Sequence, residues 1–488
     1  MKEIWLYGAG DMGKKIFKVL HDFEIEVSGF IESKTPEFNK SIYGKPVISY
    51  KEYIQLYKNQ NYIIVTPSNL MIQEGIRKRL LEDGVTRDNI ITKEYVIRTY
   101  WKPSKDIYQD FEIGSTRNWI IDTGEWGSFG GVEKYTYNLT RLLKKEGEKA
   151  YVIFPSSIEL VPKDVRDSLI NYNFFVEDGA EVSSSIYFSN MKYYSSIDFC
   201  ERLKDAIHIL GKYLPFTLIL RGSSLWYVAA AIIKDRFPND VTILDVVHGN
   251  ESSARYEVNA IKEDLKAVIC SNSGIKKKFE AEGMESISEK LIVKWHPITP
   301  IKESNTKRSN SGKVRLGYAG RLDIHDKRSD LMLEFIDELE SYNVEYEFYI
   351  AGIGPFEEEL RRYIQDNGYG EKVKLLGKIP YDEIHDFWNS VDIFLNFSDT
   401  EGFCLSMIEA LQSGKACITT RVHEDIEQFV VSEKNGYVVD IGDMKTMAWK
   451  AAELIMNPKV IEEYGKQSVK IINEMDDGKE YIQMLKML

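Results

Sequence analysis

Short β-type runs alternate with amphipathic helical stretches along nearly the whole chain, and this alternation starts afresh three times, each time with a strand followed by a turn. Parallel strands need a crossover between them, so such a pattern implies parallel sheets covered by helices on both faces. The first start is Ile4-Trp-Leu-Tyr-Gly-Ala-Gly10, leading into a helix whose Ile16, Phe17, Val19 and Leu20 share one face. A strand ending at Glu32 follows, then Tyr62–Thr66 and a helix from about Ile72 to Leu81. The second start is Trp119–Asp122 with the glycine-rich turn GEWGSFGGVEKY, followed by strand-like runs at 150–154, 217–220, 241–247 and 267–270. The third begins at Val314–Tyr318 and continues through runs at 346–350, 373–376, 391–395 and 416–419. The expected organisation is a small Rossmann-like α/β module over 1–97, a Pro- and polar-rich linker over 98–115, an α/β domain over 116–298, a hinge at 299–312, a second α/β domain over 313–470, and a C-terminal helix over 471–488 packing back toward the N-terminal half. Two such domains facing each other create a cleft at the carboxyl ends of their strands.

Composition narrows the partners. A formal net charge of −13 does not suit a polyanion, so no nucleic-acid partner is expected. Cys200, Cys270, Cys404 and Cys417 form no C-x-x-C pair, and the seven histidines show no metal-ligand spacing, so neither a disulfide framework nor a metal site is expected. The opening MKEIWLYGAG reads straight into a strand, and the apolar run Leu225–Ile233 is about half of a bilayer span. A cytoplasmic protein follows, with Lys276-Lys277-Lys278 either a solvated helix face or a peripheral contact with the inner face of a membrane.

The chemistry concentrates in Ser398–Glu409, SDTEGFCLSMIE. A strand ends near Phe397, a turn carries Glu401 and Gly402, and an apolar helix follows. Open amides at a helix start attract anions, and glycine lets the backbone approach a phosphate closely. Glu409, eight residues beyond Glu401, is expected about two turns into the helix, where a carboxylate can accept both hydrogen bonds of a ribose diol. The same residues also fit a plain helix start with two solvated glutamates. Upstream, the strand at 314–318 runs into AGRLDIHDK, placing Arg321 and Lys327 where two cations suit a diphosphate. A Gly-x-Gly-Pro turn in YIAGIGPFEEEL ends another strand.

From 116 to 470, and most densely after Val314, the chain resembles glycosyltransferase family 4, retaining enzymes of the GT-B fold. The resemblance rests on GRL with a following Lys, AGIGP, LLGKIP, the Glu-x7-Glu of EGFCLSMIEAL, SGKACITT and EKNGYVV, in order. It implies a GT-B architecture, two facing Rossmann-like domains, here preceded by the small module. It further implies that Arg321 and Lys327 hold a donor diphosphate, Glu409 the nucleotide ribose and Glu401 the donor sugar. The backbone around Gly402, Phe403, Cys404 and Leu405 would face sugar and phosphate, with Gly130 and Gly131 beside the phosphate and His248 near the reacting sugar. Three features depart from the family pattern: Arg328 and Cys404 stand where glycine is usual, and RVHEDIEQF after Thr420 lacks a usual glycine pair.

The implied activity is sugar transfer with retained configuration, from a nucleotide-sugar to a glycan, lipid-linked or protein acceptor in surface polysaccharide or glycoconjugate synthesis. The leaving diphosphate needs charge stabilisation more than a nucleophilic side chain. Cations and helix amides supply that without a metal, and the sequence holds no Asp-x-Asp. In the front module, Gly8, Gly10 and Gly13 with Glu32 form a dinucleotide-type fingerprint, and the module resembles small Rossmann-like units found beside sugar-modifying enzymes of polysaccharide pathways. It is read either as a second nucleotide site or as a structural or docking element. Two further functions stay open: a catalytically silent GT-B partner subunit, and an NAD(P)-dependent oxidoreductase centred on the front module.

Overall fold

A computed structural model describes residues 2–37, 40–122, 131–153, 199–298, 312–380, 383–475 and 478–488. Its strands form three six-stranded sheets. The first contains β1 (Ile4–Tyr7), β2 (Gly29–Glu32), β3 (Ser41–Ile42), β4 (Lys45–Ser49), β5 (Tyr62–Val65) and β6 (Ile90–Ile91), in the order β3-β4-β2-β1-β5-β6. Only the β3–β4 pair is antiparallel. The second contains β7 (Asn118–Asp122), β8 (Lys149–Ile153), β9 (Phe216–Leu220), β10 (Val241–Val247), β11 (Ala267–Cys270) and β12 (Leu291–Val293), ordered β12-β11-β10-β9-β7-β8 and parallel throughout. The third contains β13 (Val314–Ala319), β14 (Tyr346–Ala351), β15 (Val373–Gly377), β16 (Ile393–Asn396), β17 (Ala416–Thr420) and β18 (Gly436–Val439), ordered β15-β14-β13-β16-β17-β18 and also parallel.

In each sheet the order reverses beside the strand that opens the unit: β1, β7 and β13. Loops leaving adjacent strands in opposite directions open a crevice there, which is where doubly wound sheets bind ligands. The sheets are buried on both faces, as their continuous apolar strands require: β1, β9 and β16 are buried at every residue. The apolar run beginning at Leu225 forms the helix Leu225–Arg236, buried from Trp226 through Ile233 between neighbouring elements. Among the described residues no helix is long and apolar enough to cross a membrane.

The stretch 98–115, expected as a linker, is pinned along its length. Residues 98–100 complete the helix Lys93–Tyr100. Arg98 forks onto Asp235 at 2.6 and 2.8 Å and also reaches Asp264 at 3.1 and 3.2 Å. Phe23 of the front module packs edge-on against Trp101 and Phe199, and one continuous apolar cluster runs from Ile4 to Leu291. The front sheet and the second sheet therefore share a core. The C-terminal helix Lys479–Met487 buries Tyr481, Ile482 and Leu485 in a cluster with Trp119, Tyr135 and Leu139 of the second unit, and Lys294 reaches Glu480 at 2.8 Å.

Candidate functional site

The crevice between β13 and β16 collects the third unit's polar side chains. After β13, Asp323 organises the exit loop: its Oδ1 accepts from the amides of His325 and Asp326 at 3.1 and 3.0 Å. The AGIGP turn braces that loop from β14. A Cβ on Gly352 would stand 1.8 Å from the Gly320 carbonyl, and one on Gly354 would stand 2.2 Å from that of Leu322, so both positions must be bare. The loop ends by delivering Lys327, whose Nζ donates to Glu401 Oε1 at 2.6 Å. Ser398 donates to the same oxygen at 2.7 Å. Glu401 is 9% exposed and Lys327 22%. Burial works against the Lys327 charge, but Glu401, with help from Cys404 and Tyr318, outweighs it and holds the ammonium well above its ordinary range.

Arg328 and Cys404 stand at φ +48° and +47°, the left-handed region in which glycine is free and a side chain costs roughly 1–2 kcal/mol. That geometry accounts for the glycine usual at both positions in the resembling family. Arg328 is held by two carboxylates, Asp330 at 3.0 Å and Asp399 at 2.9 Å. The left-handed Cys404 also delays the helix, which starts at Leu405 rather than beside Glu401. Glu409 consequently lies one turn into the helix, not the two expected from sequence spacing. No side chain caps the Leu405–Gln412 helix and its first turn carries no acid, so its leading amides keep their positive end open. The Cys404 thiol is buried, and burial first, then Glu401, pushes it up to about 12.

The second unit closes over this centre through residues the sequence did not single out. Lys134, on the helix Gly131–Lys145, pairs with Glu409 Oε1, while from within the third unit the buried Trp388 indole donates to Oε2 at 3.2 Å. Asn272 donates to the carbonyls of Glu401 and Gly402 at 3.2 and 2.7 Å. Asn250 donates to Thr400. Gly402 lies against the second unit so tightly that a Cβ would stand 1.6 Å from the His248 carbonyl. A Cβ on Gly131, the first described residue of the helix Gly131–Lys145, would stand 3.6 Å from Leu405, which opens the helix Leu405–Gln412; Gly130 lies outside the described residues.

His248 follows β10, and its Nδ1 lies 3.0 Å from Nε2 of His296. Tyr135 packs on both rings at 4.8 and 4.7 Å, and Phe403 on His296 at 5.2 Å. Burial, then the neighbouring His296 and Arg221, lowers His248 well below the ordinary histidine range, and burial takes His296 down to about 3. Arg321 is not drawn into the Lys327–Glu401 pair. Its side chain is 68% exposed and turned to Asp323 and Asp326 at 3.4 and 3.6 Å. The only sequence signal for Lys134 was its place in GGVEKY, and nothing local marked Asn272, Trp388 or His296.

In the front module, a Cβ on Gly13 would meet the Gly8 carbonyl at 1.9 Å, so that glycine seats the Asp11–Asp22 helix against the turn. Gly8 has φ +121°, and Gly10 faces open space. Glu32 ends β2 paired with Lys40 at 2.8 Å. Among the described residues, no group of three or more His, Cys, Asp or Glu is disposed to hold a metal ion.

Two stretches of this chain match known family models. A family model described as Glycosyl transferases group 1 matches residues 301–470, and a C2185-like N-terminal model matches residues 1–91. The GPI3 subunit of phosphatidylinositol N-acetylglucosaminyltransferase from Saccharomyces cerevisiae is 26% identical over 185 residues, 37% of this chain and 40% of that protein. A poly(ribitol-phosphate) alpha-N-acetylglucosaminyltransferase from Staphylococcus aureus is 24% identical over 229 residues, 46% of this chain and 45% of that enzyme. The chain thus spans less than half the length of these curated relatives. Among solved structures, S. aureus TarM in complex with UDP, Fondaparinux and alpha-GlcNAc-glycerol superposes with a TM-score of 0.59 at 12% identity, covering 76% of this chain and 99% of that one. Anabaena Alr3699/HepE in complex with UDP and glucose gives 0.57 at 15% identity, covering 76% and 100%. At such identities the likeness speaks for the fold, and the fold is GT-B: two facing Rossmann-like units, preceded in this chain by a third, smaller α/β unit.

Proposed function

We propose that the chain is a retaining glycosyltransferase that moves a sugar from a nucleotide-sugar to a glycan, lipid-linked or protein acceptor, at the cytoplasmic face of the cell and without a divalent metal. The observation that carries this reading is the Lys327–Glu401 pair at the β13/β16 crevice, 2.6 Å apart and beneath the uncapped start of the Leu405–Gln412 helix. A diphosphate placed there would take over Lys327 from Glu401. Its charge, growing as the glycosidic bond breaks, would meet the ammonium and the helix amides. Glu401, released from Lys327, would accept hydrogen bonds from hydroxyls of the donor sugar. Glu409 would accept the ribose diol on exchanging Lys134, which sits close enough to the same centre to follow the phosphates. Arg321, exposed on the exit loop, has the reach to swing onto the distal phosphate. The acceptor would approach from the second unit, on the face the nucleotide leaves.

Both solved neighbours are complexes with UDP, and the two relatives are N-acetylglucosaminyltransferases; UDP-N-acetylglucosamine is therefore the first donor to try. The division of labour we propose is a donor unit at 313–470, an acceptor unit at 116–298 and a front module at 1–97. The open face at Gly10 leaves that module room for a nucleotide, while its shared core with the second unit equally supports a purely structural role. The test is thermal unfolding with a panel of nucleotide-sugars: a donor at 100 times its dissociation constant stabilises by about 2.7 kcal/mol. Stabilisation by a nicotinamide cofactor and by no nucleotide-sugar would favour the oxidoreductase alternative and overturn the proposal.

A further inference from the structure

Half-buried His248 and buried His296 pair ring to ring, and the transfer reading leaves open which nitrogen of His248 carries its proton. His248 Nδ1 and His296 Nε2 are 3.0 Å apart, so one of them is N–H and the other a lone pair. Burial keeps both rings neutral at ordinary pH. Two arrangements remain. If His248 donates from Nδ1, then His296 must carry its own proton on Nδ1, and that buried atom has no hydrogen-bond partner among the described residues. If His296 donates from Nε2, the partnerless Nδ1 is a bare acceptor. Buried orphan N–H groups are rarer and costlier than under-used acceptors, so the second arrangement is favoured.

We infer that His296 is a positioning residue: by donating from Nε2 to His248 Nδ1 it fixes the His248 proton on Nε2, making His248 a hydrogen-bond donor toward the cleft and barring it from acting as a base. This rests on the transfer reading for its target, an oxygen of the donor sugar, but not for the proton's location. The surroundings hold the geometry. Tyr135 packs on both rings, its hydroxyl is spent on Tyr481 at 2.9 Å, and Phe403 closes over His296 from the donor side. The His248 carbonyl is clamped by Gly402 and accepts from Ser271 at 3.3 Å, so the backbone beneath the ring is fixed from both units. His296 follows β12, the last strand of the second unit, so both rings are carried by strand exits of one sheet. No proton is transferred in this role: the ring donates a hydrogen bond and keeps its hydrogen.

The experiment is nitrogen-detected NMR of the full chain with labelled histidine, in which the His248 resonances are identified by their loss in His248→Gln. The expected result is a neutral His248 protonated at Nε2 and unchanged between about pH 6 and 8. His296→Phe keeps the ring volume but removes the donor, and should give a mixture of His248 tautomers with about a tenfold lower kcat/KM for the nucleotide-sugar. His296→Gln, whose amide nitrogen reaches the same place, should restore both the single tautomer and most of the activity. A parent His248 protonated at Nδ1, or on both nitrogens, overturns the inference. So does His296→Phe with an unchanged His248 spectrum, or His296→Gln behaving like His296→Phe. Absence of any sugar transfer would strike the functional reading instead, since the spectra decide the proton's place without turnover.

Discussion

Replacing Lys327 separates what holds the site together from what the site does. In Lys327→Met, Glu401 is left 9% exposed with Ser398 as its remaining donor to Oε1. At 2.6 Å and an effective dielectric near 20, the lost attraction is about 6 kcal/mol before the saved desolvation of lysine is counted. Removing one partner of a buried pair costs 3–5 kcal/mol net, and the residual serine bond places this case near the low end, about 3 kcal/mol. For a unit of roughly 150–250 residues that is a fall of about 6–12 °C in its unfolding midpoint. Adding Glu401→Gln removes the stranded charge, so the double variant should regain most of the loss. Turnover should behave differently. Both variants lack the cation proposed to meet a leaving diphosphate, so each should be slowed roughly a hundredfold. Denaturant or thermal unfolding beside steady-state kinetics on all four members of the cycle measures both terms. A double variant no more stable than Lys327→Met would show that the stranded Glu401 charge is not the source of the loss, and one that recovers turnover would show that Lys327 does not act on the reaction.

Glu409→Gln loses a charged acceptor, so calorimetry should show the dissociation constant of the nucleotide product rising at least tenfold, from about 1.5–3 kcal/mol. Gly402→Ala would put a methyl 1.6 Å from the His248 carbonyl; the two units can no longer meet there, and activity should be lost while the far-ultraviolet circular dichroism stays parental. His248 and His296 have folded values below the unfolded 6.5, so unfolded chains bind more protons under acid. Their contribution is therefore complete above about pH 6.5 and declines as pH falls below it, by up to about 1.4 kcal/mol per pH unit for each ring, for His296 down toward about 3. Denaturant unfolding at pH 7 and 5.5 should show a smaller loss for His296→Phe than for the parent.

Local pattern carried the architecture. Strands such as Val241–Val247 and Ala267–Cys270 stood out because a strand buried on both faces must be apolar without interruption. The short edge strands β3 and β6, two residues each, carry too little pattern to be seen. The Lys327 and Glu401 loops were legible as strand exits, but their meeting depends on β13 and β16 being neighbours, which no local signal encodes. Glu409 was placed a turn too deep because the left-handed backbone at Cys404 is a tertiary choice, not a propensity of cysteine. Lys134 and Glu409 are 275 residues apart, and His248 and His296 are 48 apart; periodicity has no reach over such separations. The 98–115 stretch looked like a tether because Pro103 and its polar neighbours are what loops use, yet Arg98 and Trp101 spend those residues on an interface.

If the Lys327–Glu401–Glu409 centre breaks the bond between a sugar and a nucleotide diphosphate, the protein itself should free the nucleotide. Chromatography would follow the nucleotide released from UDP-N-acetylglucosamine and other nucleotide-sugars by chelator-treated protein, parent beside Lys327→Met. The expected result is release from at least one donor by the parent, undiminished by chelation, and roughly a hundredfold less by the variant. Release by neither protein from any donor, release that needs an added divalent ion, or equal release by both would contradict it.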